Sequence, residues 1–151
     1  MAAGKSTLAK ALAAQHGITV FSEDQLLESL YPGEITDLPG YVKYSTRLRE
    51  TLQPVFIELL RSGTALILDF PANTIEQRLW LLELARQAGA HHEMHYLQRS
   101  DEQCKRQLEK RARENPARRR TDTPEMFDAV TKYFQAPSES EGVQLVVHLP
   151  E

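Results

Sequence analysis

The residues near the start of the chain have the side chains and the order that suit a phosphate ligand: Gly4, Lys5, Ser6 and Thr7. Glycine lets a backbone approach closely, Lys5 offers a point cation, and the hydroxyl of Ser6 suits Mg²⁺. They match the end of the pattern G-x-x-x-x-G-K-[ST], whose first glycine would precede residue 1. The motif predicts a phosphate-binding loop, and the alternative is a tail that frays before a helix.

Two aspartates follow apolar runs that are typical of buried strands. Asp24 comes shortly after ITVF at residues 18–21, and Asp69 closes the run ALILD at residues 65–69. In open α/β sheets ligands lie beyond the carboxyl ends of the strands, so we expect both carboxylates at the edge that carries the phosphate loop. There Asp69 would hold Mg²⁺ or one of its waters. The alternatives are a first-turn helix acid for Asp24 and a turn residue for Asp69.

A basic stretch at residues 105–120 carries eight Lys or Arg against two Glu, although the net charge of the whole chain is −3. Arginines on a mobile segment can close over a transferring phosphoryl group and offset its charge. The alternatives are a solvated helix face, which is usual for charge runs, and a nucleic-acid surface. No aromatic residue is interleaved with these charges, so base stacking is not indicated.

The histidines and the cysteine are not expected to take part in the chemistry. His91, His92 and His95 lack the regular Cys/His spacing of zinc sites. The single cysteine, Cys104, has no partner for an internal disulfide, and we interpret it as a helix packing residue. No apolar run reaches the roughly 20 residues of a membrane span, and the start is too polar for a signal peptide. We therefore expect a cytoplasmic protein without a membrane partner.

Hydrophobic spacing predicts helices and strands in alternation. Strands are expected at 18–21, 65–70, 92–97 and 143–148. Helices are expected at 5–15, 44–61, 75–88, about 101–114 and from Pro124 onward, with a short one after Ser22. Strands separated by helices predict a parallel sheet with helices on both faces.

Local signals mark several element boundaries. Thr74 with Gln77, and Ser100 with Gln103, have the spacing of capping boxes. Pro54 predicts a kink or a break in the helix at 44–61. The Pro- and Gly-rich segment 31–40 is expected to be loop.

Taken together, these motifs resemble a known family. AGKSTLAKALA, SEDQLL, LILDFPANTIEQR, the Arg-rich stretch and the final VVH resemble the P-loop kinases grouped as AAA-type ATP-binding proteins. Relatives of that family include polynucleotide kinase, chloramphenicol phosphotransferase and zeta toxin. The resemblance covers nearly the whole chain and implies one domain over residues 1–151, with the α/β three-layer P-loop NTPase fold. Its parallel sheet would have helices on both faces and would lack its first strand in this chain.

The resemblance also implies ATP and Mg²⁺ as cofactors and a role for each motif residue. The implied phosphate contacts are Gly4, Lys5, Ser6 and Thr7. The implied metal contacts are Ser6 and Asp69. The implied acceptor contacts are Asn73 and Arg78. The implied catalytic residues are Asp24 as the base, Lys5, and the lid arginines Arg111 and Arg118. The segment at 137–142 would pass near the adenine.

This set predicts transfer of the ATP γ-phosphate to a small hydroxyl acceptor, chosen by loops such as 31–43. One alternative is an ATP hydrolase or a nucleotide sensor. Another is a non-catalytic descendant that serves as an interaction module. A polynucleotide acceptor, held through residues 105–120, would be a version of the first prediction and is not favoured.

The family carries a strand ahead of Gly4, in the middle of its sheet. Without that strand two neighbouring strands would lose a shared partner, and each unpaired buried N–H or C=O group costs about 1–3 kcal/mol. We therefore expect Met1 to be an internal methionine of a longer chain. An in-frame stop codon directly upstream of Met1 would contradict this expectation.

Overall fold

Helices and short strands alternate along the chain in the computed structural model, which describes residues 2–114 and 123–150. The helices are α1 (Lys5–His16), α2 (Glu23–Leu30), α3 (Leu38–Arg61), α4 (Ile75–Ala88), α5 (Asp101–Glu114) and α6 (Pro124–Thr131). The strands are β1 (Thr19–Ser22), β2 (Leu66–Asp69), β3 (Met94–Leu97) and β4 (Leu145–His148). The predicted alternation is confirmed. Arg118 lies outside the described residues.

The described chain divides into two units, each with its own pair of strands. The β1–β2 unit comprises residues 6–72 and 79–92, and the β3–β4 unit comprises residues 1–5, 73–78 and 93–151. Within the described ranges each unit holds one two-stranded parallel ladder. The resemblance implies a three-layer fold with a single parallel sheet, and that sheet therefore stays a prediction.

In the β1–β2 unit the strands pair from Thr19 with Leu66 to Ser22 with Asp69. Their apolar side chains pack on a core that centres on Phe56 of α3, which is fully buried. The ring of Phe56 meets those of Phe21 and Phe70 edge-on, with centroids 5.0 and 5.9 Å apart. Edge-to-face packing adds to the hydrophobic gain, so this aromatic cluster fixes α3 against the two strands.

In the β3–β4 unit the strands pair from Met94 with Leu145 to Leu97 with His148. A second core joins α5 to α6 through Cys104, Leu108 and Phe127, and the side chains of Ala2 and Ala3 pack against it. Two other contacts cross between these helices: Lys105 binds Asp128 at 2.8 Å, and its ammonium lies 5.4 Å from the centroid of the Phe127 ring.

Both predicted capping boxes are confirmed. The Thr74 hydroxyl accepts from the Gln77 N–H at 3.2 Å, and the Gln77 amide oxygen accepts from the Thr74 N–H at 3.3 Å. Ser100 and Gln103 exchange the corresponding bonds at 3.2 and 2.9 Å. These local bonds satisfy N–H groups that a helix start leaves without partners.

The structure corrects two predictions about α3. The helix begins at Leu38, so residues 38–40 are helical rather than loop, because Asp37 caps it by accepting from the Gly40 N–H at 2.7 Å. It also continues through Pro54 without a break, whereas a kink, the other predicted outcome, stays a prediction. Packing of Leu52, Phe56 and Ile57 on the core holds the helix on both sides of the proline, and tertiary packing of this kind outweighs local propensity.

None of the helices in residues 2–114 and 123–150 combines the length and the apolar character that crossing a membrane requires.

Candidate functional site

The loop residues lie at the N-terminus of α1. Gly4 has a φ of 95°, and the helix begins at the next residue, Lys5. The side chains of Lys5, Ser6 and Thr7 are exposed, and the first turn of α1 contains no acidic residue. A helix N-terminus presents unsatisfied N–H groups and the positive end of the helix dipole, so this turn is suited to an anion.

The need for glycine at position 4 comes from its backbone and not from crowding. A Cβ on Gly4 would lie 3.6 Å from Cδ2 of Leu97, which is an ordinary contact. The positive φ, however, is one that other L-residues rarely adopt. Any substitution here would therefore strain the backbone directly before Lys5.

Asp69 and Asp24 lie at the carboxyl ends of the strands in the β1–β2 unit. Asp69 ends β2, is 4% exposed and is the register partner of Ser22, which ends β1. Ser22 also caps α2, since its hydroxyl accepts from the Gln25 N–H at 3.5 Å. Asp24 is exposed in the first turn of α2, where a negative charge is favoured. As the sequence predicts, Asp69 closes its strand and Asp24 comes shortly after its own.

A buried acid beside Asp24 was missed at the sequence level. Glu23 is 0% exposed, and its carboxylate accepts from the Tyr41 hydroxyl at 2.6 Å and from Nε of Arg49 at 3.1 Å. Burial, and then the charge of Glu23 and its hydrogen bond, raise the pKa of Tyr41, so that phenol stays protonated and donates to Glu23. The sequence signal for Glu23 is an acid directly after a strand, which also suits an ordinary first helical turn.

Arg49 links this acid to α4. Its guanidinium lies over the Trp80 ring, 5.8 Å from the centroid, while its Nε binds Glu23. The Trp80 indole N–H in turn donates to Oε1 of Gln53 at 3.0 Å. The carboxylate and the aromatic ring hold the guanidinium in one place, since both contacts are directional.

Arg78 lies in a buried ion pair within the β3–β4 unit. Its side chain is 1% exposed, and Nε and Nη2 donate to the two oxygens of Glu141 at 2.6 and 2.9 Å. Nη1 donates to the carbonyl oxygen of Gln135 at 2.8 Å. This bidentate pair positions Arg78, and its predicted contact with an acceptor stays a prediction.

Two neighbours extend this network. The backbone carbonyl of Asn73 accepts from the Gln135 N–H at 2.8 Å, and the Asn73 N–H donates to the Gln77 amide oxygen at 2.8 Å. Glu141 also accepts from the Ser138 N–H at 3.0 Å. The hydrogen bond from Arg78 lowers the pKa of Glu141 below its ordinary value. The segments around residues 73–78 and 135–142 are therefore tied together.

The described part of the basic stretch is the later portion of α5. Two of its cations pair with acids one helical turn away: Lys110 with Glu114 at 3.9 Å and Arg113 with Glu109 at 3.5 Å. These exposed pairs contribute little to stability. Arg111 is half-buried in the same helix. Arg118, the other predicted lid arginine, lies outside the described residues, so a lid remains a prediction.

Cys104 is a packing residue, and His95 and His148 contact each other. Cys104 is buried in α5, and burial raises the pKa of its thiol, as suits a packing residue. His95 Nδ1 and His148 Nε2 share a hydrogen bond at 2.9 Å, and Glu93 lies 3.5 Å from Nε2 of His95. Within residues 2–114 and 123–150, no three His, Cys, Asp or Glu side chains gather as a metal site.

An α/β chain with a phosphate-loop sequence at a helix start and acids after its parallel strands fits the P-loop nucleotide-binding class. The sequence profile of AAA_33, an AAA domain, matches residues 1–137. The chain therefore belongs to this P-loop NTPase-like family. Curated proteins give no significant match to the chain.

Proposed function

We propose that the protein binds Mg-ATP and transfers its γ-phosphoryl group to a small hydroxyl acceptor. The observation that carries the proposal is the start of α1, where Gly4 with its positive φ leads into exposed Lys5, Ser6 and Thr7. Membership of the AAA_33 family supports nucleotide binding at such a loop. The exposed carboxylate of Asp24 supports proton transfer.

The donor set fits the two cofactors. A helix N-terminal turn with a lysine and no acid suits the phosphates of ATP. Mg²⁺ keeps several waters and needs only one or two protein oxygens, so Ser6 and the buried carboxylate of Asp69 are a sufficient pair. When bound, Mg-ATP supplies the activated phosphoryl group and the divalent charge that neutralises it.

Each of the proposed site residues would have a separate role in the phosphoryl transfer. Lys5 and the N–H groups of α1 would bind the β- and γ-phosphate oxygens and offset their charge. Asp24 would accept the proton of the acceptor hydroxyl on a carboxylate oxygen. Arg111 and Arg118 would approach from the basic stretch and exclude water from the transferring group.

Calorimetric titration of Mg-ATP into the chain tests this proposal, with Lys5→Ala as the variant and Lys10→Ala as its matched control. Both lysines are exposed on α1, but only Lys5 belongs to the loop. We expect Lys5→Ala to weaken binding at least about tenfold, since a lysine–phosphate hydrogen bond is charge-assisted, and Lys10→Ala to leave it unchanged.

The outcomes separate the proposed function from its alternatives. Turnover of ATP without any added hydroxyl compound would replace the kinase proposal with a hydrolase. A folded chain that binds no nucleotide would overturn the proposal and favour a non-catalytic interaction module.

A further inference from the structure

Arg49 is held by one edge of its guanidinium, and its side chain is 20% exposed. Its Nε binds the fully buried Glu23, and its Cζ lies over the Trp80 ring, 5.8 Å from the centroid. Among the residues that the structure describes, Nε makes the single hydrogen bond of this guanidinium. Nη1 and Nη2 form the other edge of the planar group, which matches the two oxygens of a carboxylate or phosphate.

The bond to Glu23 places Arg49 near the start of α2. Glu23, which holds Arg49, is the residue directly before Asp24 in the first turn of α2. The Tyr41 hydroxyl donates to the same carboxylate at 2.6 Å. Glu23 thus joins Arg49, which it binds through its carboxylate, to Asp24, which follows it in the chain.

We propose that Arg49 binds an anionic group of the acceptor, a phosphate or a carboxylate, and so selects hydroxyl acceptors that carry a negative charge. That the bound molecule is the phosphoryl acceptor rests on the proposed function, but anion binding at Arg49 does not depend on ATP. Because Glu23, Asp24 and Asp69 are acids in the same unit, an anion needs a fixed cation to approach them. The hydrogen bond from Glu23 keeps Arg49 in place before the ligand arrives.

Inorganic phosphate and acetate are the probes, titrated into 151-residue chains that all carry Lys5→Ala to remove the loop cation. The chain has one tryptophan, so the indole N–H signal of Trp80 in an NMR spectrum reports directly on the neighbourhood of Arg49. Three chains are compared: one with no further substitution, one with Arg49→Met and one with Arg47→Met. Arg47 is an exposed arginine on the same helix and is the matched control. Chloride at equal ionic strength accounts for screening.

We expect phosphate or acetate to shift the indole signal saturably, and Arg49→Met to weaken that binding about tenfold or more, as loss of a charge-assisted pair implies. Arg47→Met should leave it unchanged. The two anions distinguish a phosphate site from a carboxylate site. An indole signal that ignores both anions, or equal binding in Arg49→Met, would overturn the proposal.

Removing Arg49 leaves Glu23 buried without its counter-charge, so Arg49→Met alone risks unfolding. The double variant Glu23→Gln with Arg49→Met removes both charges, so no unpaired charge stays buried, and the same indole readout applies to it. Anion binding that persists when Mg-ATP does not bind would reject the proposed function and keep the anion site. ATP binding without a response to anions would keep the proposed function and reject the anion site.

Discussion

Glu23 and Asp24 are neighbouring carboxylates in opposite surroundings. Glu23 is buried and accepts from Tyr41 and Arg49, whereas Asp24, the next residue of α2, is exposed. An acid that already binds two donors is suited to fixing structure. An exposed acid remains available to accept a proton, so Asp24 is the better candidate for a base.

Replacing Asp24 by Asn tests that division at the scale of the residue. The amide cannot accept the acceptor proton, so we expect kcat to fall about 10²–10⁴-fold with unchanged affinity for Mg-ATP. Steady-state kinetics and calorimetry measure the two quantities. Glu28→Gln, at an exposed position on the same helix, is the control and should change neither. Wild-type kcat in Asp24→Asn would exclude Asp24 as the base.

At the scale of the element, α3 organises the β1–β2 unit. Its 24 residues carry the phenol, the guanidinium and the amide of the polar network, and also the apolar residues of the core. The spacing of Tyr41, Arg49, Gln53 and Phe56 places them along one side of a helix with 3.6 residues per turn. A shift of this helix would therefore move the core and the Glu23 network together.

The exposed proline inside α3 gives a test at this scale. A proline costs about 3 kcal/mol in a helix interior, while its restriction of the unfolded chain returns roughly 1 kcal/mol. We expect Pro54→Ala to raise the free energy of unfolding by about 1–2 kcal/mol, measured by urea denaturation.

Val55→Ala, beside it and also exposed, should change the free energy of unfolding by no more than about 0.5 kcal/mol. Destabilisation by Pro54→Ala would mean that the pyrrolidine ring makes contacts worth more than the backbone hydrogen bond that it removes.

At the scale of the molecule, buried charges set the response of stability to acid. Arg78 keeps the pKa of Glu141 below its ordinary value, so the folded chain binds that proton less tightly than the unfolded chain. The stabilisation is complete above the unfolded pKa of about 4.3 and is lost as the pH falls through the folded pKa.

Glu141→Gln should therefore destabilise the chain at pH 7 by about 3 kcal/mol, because it leaves the Arg78 cation buried without an anion. It should also flatten the loss of stability between neutral pH and pH 3, measured by urea unfolding at each pH. Glu139→Gln, in the same short segment and exposed, is the control. Identical pH profiles for Glu141→Gln and the wild type would contradict this account.

Local chemistry was predictable from the sequence, and long-range pairing was not. Thr74 with Gln77 forms the expected capping box because its bonds span three residues. The partners of Glu23 and Arg78 lie 26 and 63 residues away in Arg49 and Glu141, and no spacing rule selects one acid among many. The positions of Gly4 before a helix and of Asp24 and Asp69 near strand ends were predictable, because they depend on residues that are close in the sequence.

Pro54 does not break α3, and the reason is a different one. A proline predicts a break from the bonds that it removes locally, but the burial of Phe56 and Ile57 on one side of it is a property of the folded unit. The same limit applies to residues 38–40, where the cap at Asp37 competes with the loop tendency of Pro and Gly. In both places tertiary packing or a cap decided the structure.

The reactivity of the Cys104 thiol can report how often the β3–β4 unit opens locally. It is the single cysteine of the chain and is buried between α5 and α6, so a thiol reagent reaches it only when that contact opens. The rate of pulse labelling then measures the frequency of local opening where Ala2 and Ala3 pack, directly before the loop at Gly4. One unmodified chain can thus report how firmly the start of its phosphate loop is anchored.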